Sequence, residues 1–171
     1  MLAFVLCLAL HQDLQGKVIG VLDGDTVEVL DENRFTHRIR MAEIDAPEKS
    51  QAFGNQAKIA LSNKIMGQTV AITSKGKDRY GRTIGLIRLH MRDINLEMVE
   101  DGYAWWYKQY GHDPRFAAAE ARARRNKDGL WIDPYPMAPW DYRHKPSSSS
   151  SKSSSSKSKS SSSSSSKKRK K

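Results

Sequence analysis

Apolar and polar positions alternate in three short runs near the start of the chain: Lys17 to Leu22, Thr26 to Leu30 and Arg34 to Met41. The turn-forming clusters Asp23-Gly24-Asp25 and Asp31-Glu32-Asn33 separate them. A period of two lines one face of a pleated strand, so these runs predict three β-strands joined by tight turns. In the third, Phe35, Ile39 and Met41 share one face, and Arg40 leaves on the face opposite Met41. The period lengthens between Ser50 and Met66, where Phe53, Ala57, Leu61 and Ile65 recur every four residues before Gly67; this predicts an amphipathic helix. Strands are expected again over Thr69 to Ser74 and Arg82 to Leu89, then a short helix over Ile94 to Asp101, ended by Gly102. A third helix is expected over Pro114 to Lys127, with Asp113 as its cap, Pro114 in the first turn, basic residues in the last, and Gly129 as the terminator.

Five short strands with helices between and after them, instead of one helix per strand, imply an α+β fold or a small barrel. After Trp131 the prolines at 134, 136, 139 and 146 are expected to exclude regular structure. From Ser147 onward the chain is almost wholly serine and lysine, a composition with nothing to bury and hence expected to be disordered. The expected organisation is therefore an N-terminal apolar segment (1–16), one folded domain (17–133), a proline-rich extension (134–146) and a tail (147–171).

Charge changes this picture only locally. The chain has 29 Lys and Arg against 19 Asp and Glu, but eight of the basic residues lie in the tail, leaving 21 against 19 before it. The body is thus close to neutral, and the high pI says little about its partners. The single cysteine, Cys7, rules out an internal disulfide and sits in the apolar run Leu2 to Leu10. That run is about nine residues, against the roughly twenty that span a bilayer as a helix, and matches the hydrophobic part of an export signal. Export to the periplasm or medium is the expected localisation, with the cytoplasm as the alternative. His11, His37, His90, His112 and His144 show no ligand spacing and are expected to be surface or satisfied residues.

Three blocks concentrate carboxylates and arginines near strand ends: Asp23-Gly24-Asp25-Thr26, Arg40 to Glu48, and Asp78-Arg79-Tyr80-Gly81-Arg82. Each block alone reads as an ordinary turn or helix entry. Hard oxygen donors without histidine or thiol nearby suit Ca²⁺ or Mg²⁺ rather than Zn²⁺.

In order and spacing the blocks resemble the thermonuclease (staphylococcal nuclease) family pattern V-x-D-G-D-T, R-x-x-x-x-D-x-P-E and D-x-Y-G-R, over about Lys17 to Trp131. The resemblance implies a five-stranded OB-type barrel with about three helices. It also implies a calcium-dependent phosphodiesterase that cuts DNA and RNA with low sequence preference and leaves 3′-phosphates. Asp25, Asp45 and the backbone carbonyl of Ala46 match the family's metal ligands, and Ca²⁺ over Mg²⁺ rests on the resemblance alone. Arg40 and Arg82 match the arginines that grip the scissile phosphate, a task suited to a planar, permanently charged fork. Glu48 matches the carboxylate assigned as general base or as positioner of the attacking water. Arg79 and Tyr80 match positions near the substrate's other phosphate, and Tyr107 or Tyr110 offers a face for base stacking. Asp23, Thr26 and Asp78 are expected to order their turns. A monomer without an obligate protein partner is expected. The competing reading is a noncatalytic OB module that binds nucleic acid or protein.

Overall fold

The computed structural model describes residues 14–144; the apolar run with Cys7, His11 and the Ser/Lys tail lie outside them. Strand β1 (Leu14–Asp23) pairs antiparallel with β2 (Thr26–Asp31) on one side and with β5 (Thr69–Lys77) on the other. Strand β2 continues to β3 (Thr36–Met41), and β5 to β6 (Thr83–Leu89). A parallel pairing of β3 with β6, Arg40 opposite Ile84, closes the five strands into a barrel. Closure leaves these strands no free edge. Two short additions, β4 (Ile44–Asp45) and β7 (Arg92–Asp93), pair with β8 (Trp105–Trp106) and β6 respectively.

The inward faces supply Val18, Val27, Val29, Ile39, Met41, Val70, Ile72 and Ile87, all at 0–1 % exposure. Helix α1 (Gly54–Ile65) adds Ala57, Leu61 and Ile65, so most of its predicted stripe is buried. Helix α2 (Ile94–Glu100) adds Ile94, Met98 and Val99, and α3 (Pro114–Asn126) adds Phe116 and Ala119. Asp93 and Asp113 cap α2 and α3 by accepting from the amides of Leu96 (3.2 Å) and Arg115 (2.9 Å). Among the described residues no helix is long and apolar enough to cross a membrane.

Several boundaries differ from the sequence expectation for local reasons. Strand β1 starts at Leu14 because Gln15 and Gly16 find partners in Ala71 and Val70. Phe35 is 66 % exposed: the turn bonds between Asp31 and Phe35, with Arg34 left-handed at φ 67°, delay β3 to Thr36. Helix α1 starts at Gly54, not Ser50, since residues 48–53 form turns and Phe53 is left-handed at φ 65°. Lys127 (φ 61°) ends α3, while Gly129 begins a 3₁₀ turn, Gly129–Ile132.

The main correction concerns the extension. Its prolines do not exclude regular structure, because Pro139 occupies the first position of a short helix, α4 (Pro139–His144), where a missing amide costs nothing. That helix docks on a second small core of Trp105, Ala123, Leu130, Trp131 and Ala138, with Phe53 and Trp140 packed against it. Trp105 meets Trp131 and Trp140 edge-on at 4.5 and 5.6 Å, and the Arg124 guanidinium lies 3.7 Å over Trp131.

Asn95, fully buried, links α2 to the barrel: its Oδ1 accepts from Ile87 N (2.9 Å), and its Nδ2 donates to the carbonyls of Ala42 (2.9 Å) and Gly85 (3.2 Å). Asn95→Ala strands these groups, and since each unsatisfied buried group costs about 1–3 kcal/mol, a loss of roughly 2–4 kcal/mol is expected in urea unfolding.

Candidate active site

Four segments far apart in sequence converge on one cluster of charge. Asp25 lies in the β1–β2 turn, Arg40 near the end of β3 beside Thr26, Asp45 in β4, and Glu48 in the turns before α1. Two glycines allow the approach. A Cβ on Gly24 would stand 2.7 Å from the methyls of both Ala46 and Ala57, and one on Gly54 would overlap the carbonyl oxygen of Glu48. The Asp-Gly-Asp turn is thus pressed against Ala46 and α1, and the Glu48 loop against the start of α1.

Arg40 is the centre of the cluster, with only 16 % of its side chain exposed. Its Nη1 donates to the carbonyls of Met41 (2.9 Å) and Ile44 (3.0 Å). Its Nη2 donates to Asp45 Oδ1 at 2.8 Å and lies 3.0 Å from Asp25 Oδ2, so one nitrogen bridges two carboxylates. Asp25 Oδ2 also accepts from the amide of Ala46 (2.8 Å), and Oδ1 from Thr26 Oγ1 (3.1 Å).

The sequence reading missed a second guanidinium. Arg143, on α4, donates from Nη2 to Asp45 Oδ2 (2.7 Å) and from Nη1 to both Asp45 Oδ1 (3.2 Å) and Glu48 Oε1 (2.8 Å). The available signal was a proline followed by Trp140, Tyr142 and Arg143, a helix start with aromatic anchors, inside a segment assigned to irregular chain. Three carboxylates therefore face two guanidiniums. Burial pushes the Asp45 carboxyl upward, while Arg143 and Arg40 counter that push; the same contacts with Asp45 and Glu48 raise Arg143 further above its usual range.

The remaining predicted residues form two neighbouring groups. Arg82 is not in the cluster: its Nε donates to Asp78 Oδ2 (2.7 Å), and it lines a shallow groove of about 210 Å³ with Glu28, Thr36, Arg38, Tyr80 and Gly81. Asp78 also accepts from the amides of Tyr80 and Arg82, both at 2.9 Å, which is the turn-ordering role expected of it. Tyr80 is 68 % exposed, and Arg79 both donates to its hydroxyl (2.7 Å) and lies over its ring. Tyr107 is stacked by Trp140 (5.4 Å, 6° between planes) and met edge-on by Tyr110, which is 64 % exposed. Among the described histidines, His37 pairs with Asp31 at 2.7 Å and the others lie exposed.

Among the described residues no group of three or more His, Cys, Asp or Glu is arranged to hold a metal. The two predicted carboxylate ligands, Asp25 and Asp45, nonetheless keep unused acceptor positions. A carboxylate offers roughly four lone-pair sites. Asp25 and Asp45 each use three, leaving room on Asp25 Oδ1 and Asp45 Oδ2 for a hard cation.

Asp23 Oδ1 accepts from the amide of Asp25 (3.1 Å). Burial, and then the Asp25 charge, push its carboxyl up to about 6 from an ordinary 3.8. The folded state therefore holds this proton more tightly than the unfolded chain, so the contribution to stability is full below about pH 4 and lost as pH rises through about 6. In chelator, Asp23→Asn should raise stability at pH 7 by about 1–2 kcal/mol, with the gain gone at pH 4, as read by thermal melts across pH.

The "Staphylococcal nuclease homologue" family model matches residues 38–133. An "Uncharacterized endonuclease" of Haemophilus influenzae is 44 % identical over 129 residues, 75 % of this chain and 72 % of that protein. A "Micrococcal nuclease" of Shigella flexneri is 43 % identical over 142 residues, 77 % of this chain and 81 % of its own length. A "Probable staphylococcal-like nuclease" of Oryza sativa subsp. japonica is 39 % identical over 107 residues, covering 63 % of this chain but 29 % of that protein.

Proposed function

The chain belongs to the staphylococcal nuclease family and is a nuclease, a hydrolase of nucleic-acid phosphodiesters, and on that premise we propose that it depends on calcium, cuts DNA and RNA with low sequence preference, and leaves 3′-phosphates. The observation that carries the calcium reading is the convergence of Asp25 and Asp45 on one nitrogen of Arg40, with acceptor capacity left on each carboxylate.

Asp25, Asp45 and the carbonyl of Ala46 would hold Ca²⁺, which supplies a hard positive charge for phosphoryl oxygens when bound. Arg82 has only its Nε engaged by a side chain among the described residues, so both Nη nitrogens remain to fork onto a phosphate. Arg40 donates mainly to protein acceptors; in this reading its charge offsets the phosphate while its bonds fix the spacing of the carboxylates. Glu48 takes, or orients, the proton of a water attacking phosphorus in line with the departing 5′ oxygen. Breaking the phosphorus–5′-oxygen bond leaves phosphate on the 3′ side. Tyr80, flanked by Arg79 and Arg82, offers an exposed ring and paired cations to the flanking nucleotide.

The apolar run Leu2 to Leu10 supports an exported protein. N-terminal sequencing of the mature chain should find a first residue beyond that run; an intact Met1 points to the cytoplasm instead.

Full-length protein should degrade both DNA and RNA with Ca²⁺ and stop on chelation, whereas retention of nucleic acid without cutting would mark a binding module. Product ends should block polymerase extension until treated with phosphatase. Glu48→Gln should lower turnover roughly 10²- to 10⁴-fold with DNA affinity little changed; wild-type turnover would remove Glu48 from the mechanism.

A further inference from the structure

We infer that Arg143, delivered by the C-terminal helix α4, is a positioning residue of the active site that sets the Glu48 carboxylate relative to Asp45. The inference rests on the reading of Glu48 as the group that takes or orients the proton of the attacking water.

Glu48 sits in a turn segment with 40 % of its side chain exposed. Among the described residues its carboxylate has one hydrogen-bond partner, Arg143 Nη1 at 2.8 Å. Without that bond a half-exposed glutamate on a turn samples several rotamers, and a proton acceptor works only within hydrogen-bond reach of its water. The guanidinium does more than neutralise. Its two Nη atoms fork onto Asp45 at 3.2 and 2.7 Å, and the same Nη1 reaches Glu48, so one rigid plane spans both carboxylates. A planar fork fixes that spacing; an ammonium, as a point charge, does not.

The support for Arg143 is separate from Arg143 itself. Trp140 stacks on Tyr107 and meets Trp105 edge-on. Tyr142 Oη donates to the carbonyl of Ser50 (3.1 Å) and bonds its Oγ (3.0 Å), and Gln51 Nε2 donates to the carbonyl of Met137 (2.6 Å). Ser50 and Gln51 belong to the same turns as Glu48, so α4 and its approach hold that segment while Arg143 orients the acid within it. Arg143 also leaves a lone pair on Asp45 Oδ2, so it need not depart for a cation to bind there.

The test uses the full chain with R143Q, R143K, E48Q and the double variant R143Q/E48Q. It measures kcat and KM on DNA at saturating Ca²⁺, Ca²⁺ affinity by titration calorimetry, and thermal stability. R143Q should lower kcat roughly 10- to 100-fold with KM little changed, the cost usual for partners that orient a reacting group. Its Ca²⁺ affinity should hold or tighten, because a positive charge beside Asp45 is gone; a purely structural lesion would weaken it. R143K should recover part of the lost kcat, and R143Q should cost nothing further in the E48Q background. Unchanged or raised kcat, weakened Ca²⁺ binding, or losses that multiply fully in the double variant would each overturn the inference. Should R143Q not fold, R143K decides: a kcat deficit at wild-type thermal stability supports the role, and full activity ends it. An impaired E48Q beside an unimpaired R143Q removes Arg143 alone, whereas wild-type turnover in E48Q removes the reading of Glu48 beneath it.

Discussion

The bridge from Arg40 Nη2 to Asp25 and Asp45 is the contact on which the rest of the site depends. It forms only if the barrel closes, because Arg40 stands on β3 at the pairing with β6, the one parallel contact in the closed sheet. It also needs the β1–β2 turn to come within methyl-contact distance of Ala46 and α1, which the missing side chain of Gly24 permits. Fold and chemistry are joined here: the amide of Ala46 that secures the turn by donating to Asp25 belongs to the residue beside Asp45.

Burying carboxylates at 6 % and 1 % exposure is unfavourable unless each is paired and hydrogen-bonded. The structure meets that requirement with guanidiniums, and the choice of arginine follows from geometry. Arg40 must satisfy two backbone carbonyls and two carboxylates from one side chain, and Arg143 must span Asp45 and Glu48. A fork with fixed angles does both at once, and it remains charged throughout. The remaining strain falls on Asp23, whose carboxyl is pushed up by burial and by the Asp25 charge.

The sequence made the barrel legible where local pattern and tertiary need agree. Alternation in β2 and β6, the stripe Ala57, Leu61 and Ile65, and the cap Asp113 are local signals that packing then reinforced. The motif residues Asp25, Arg40, Asp45 and Glu48 stood out only through the resemblance of their blocks, in order and spacing, to the family pattern, since each block alone reads as an ordinary turn or helix entry. What failed depended on contacts that spacing does not encode. The start of α1 is displaced by a left-handed Phe53 packed on the second core, and Asn95, a polar residue inside a short helix, gave no hint of its bonds to Ala42 and Gly85. The prolines after Trp131 read as a bar to helix, yet proline at the first helical position is neutral, and the aromatic neighbours of Pro139 supply the docking energy that a six-residue helix lacks by itself.

That last failure bears on how the active site is assembled. A body near charge balance has few fixed charges to spare, and in the proposed function these must be held in place by the fold. The barrel supplies two of them, Arg40 from β3 and Arg82 from the turn before β6, and both lie inside the sequence pattern that marks the family. The third comes from beyond the matched region, carried by α4 and locked by Trp140, Tyr142 and the backbone of Met137. The charged cluster therefore extends past the barrel: a network of carboxylates and guanidiniums built on the strands takes one of its members from the segment that follows, and the aromatic core under α4 holds that member in place.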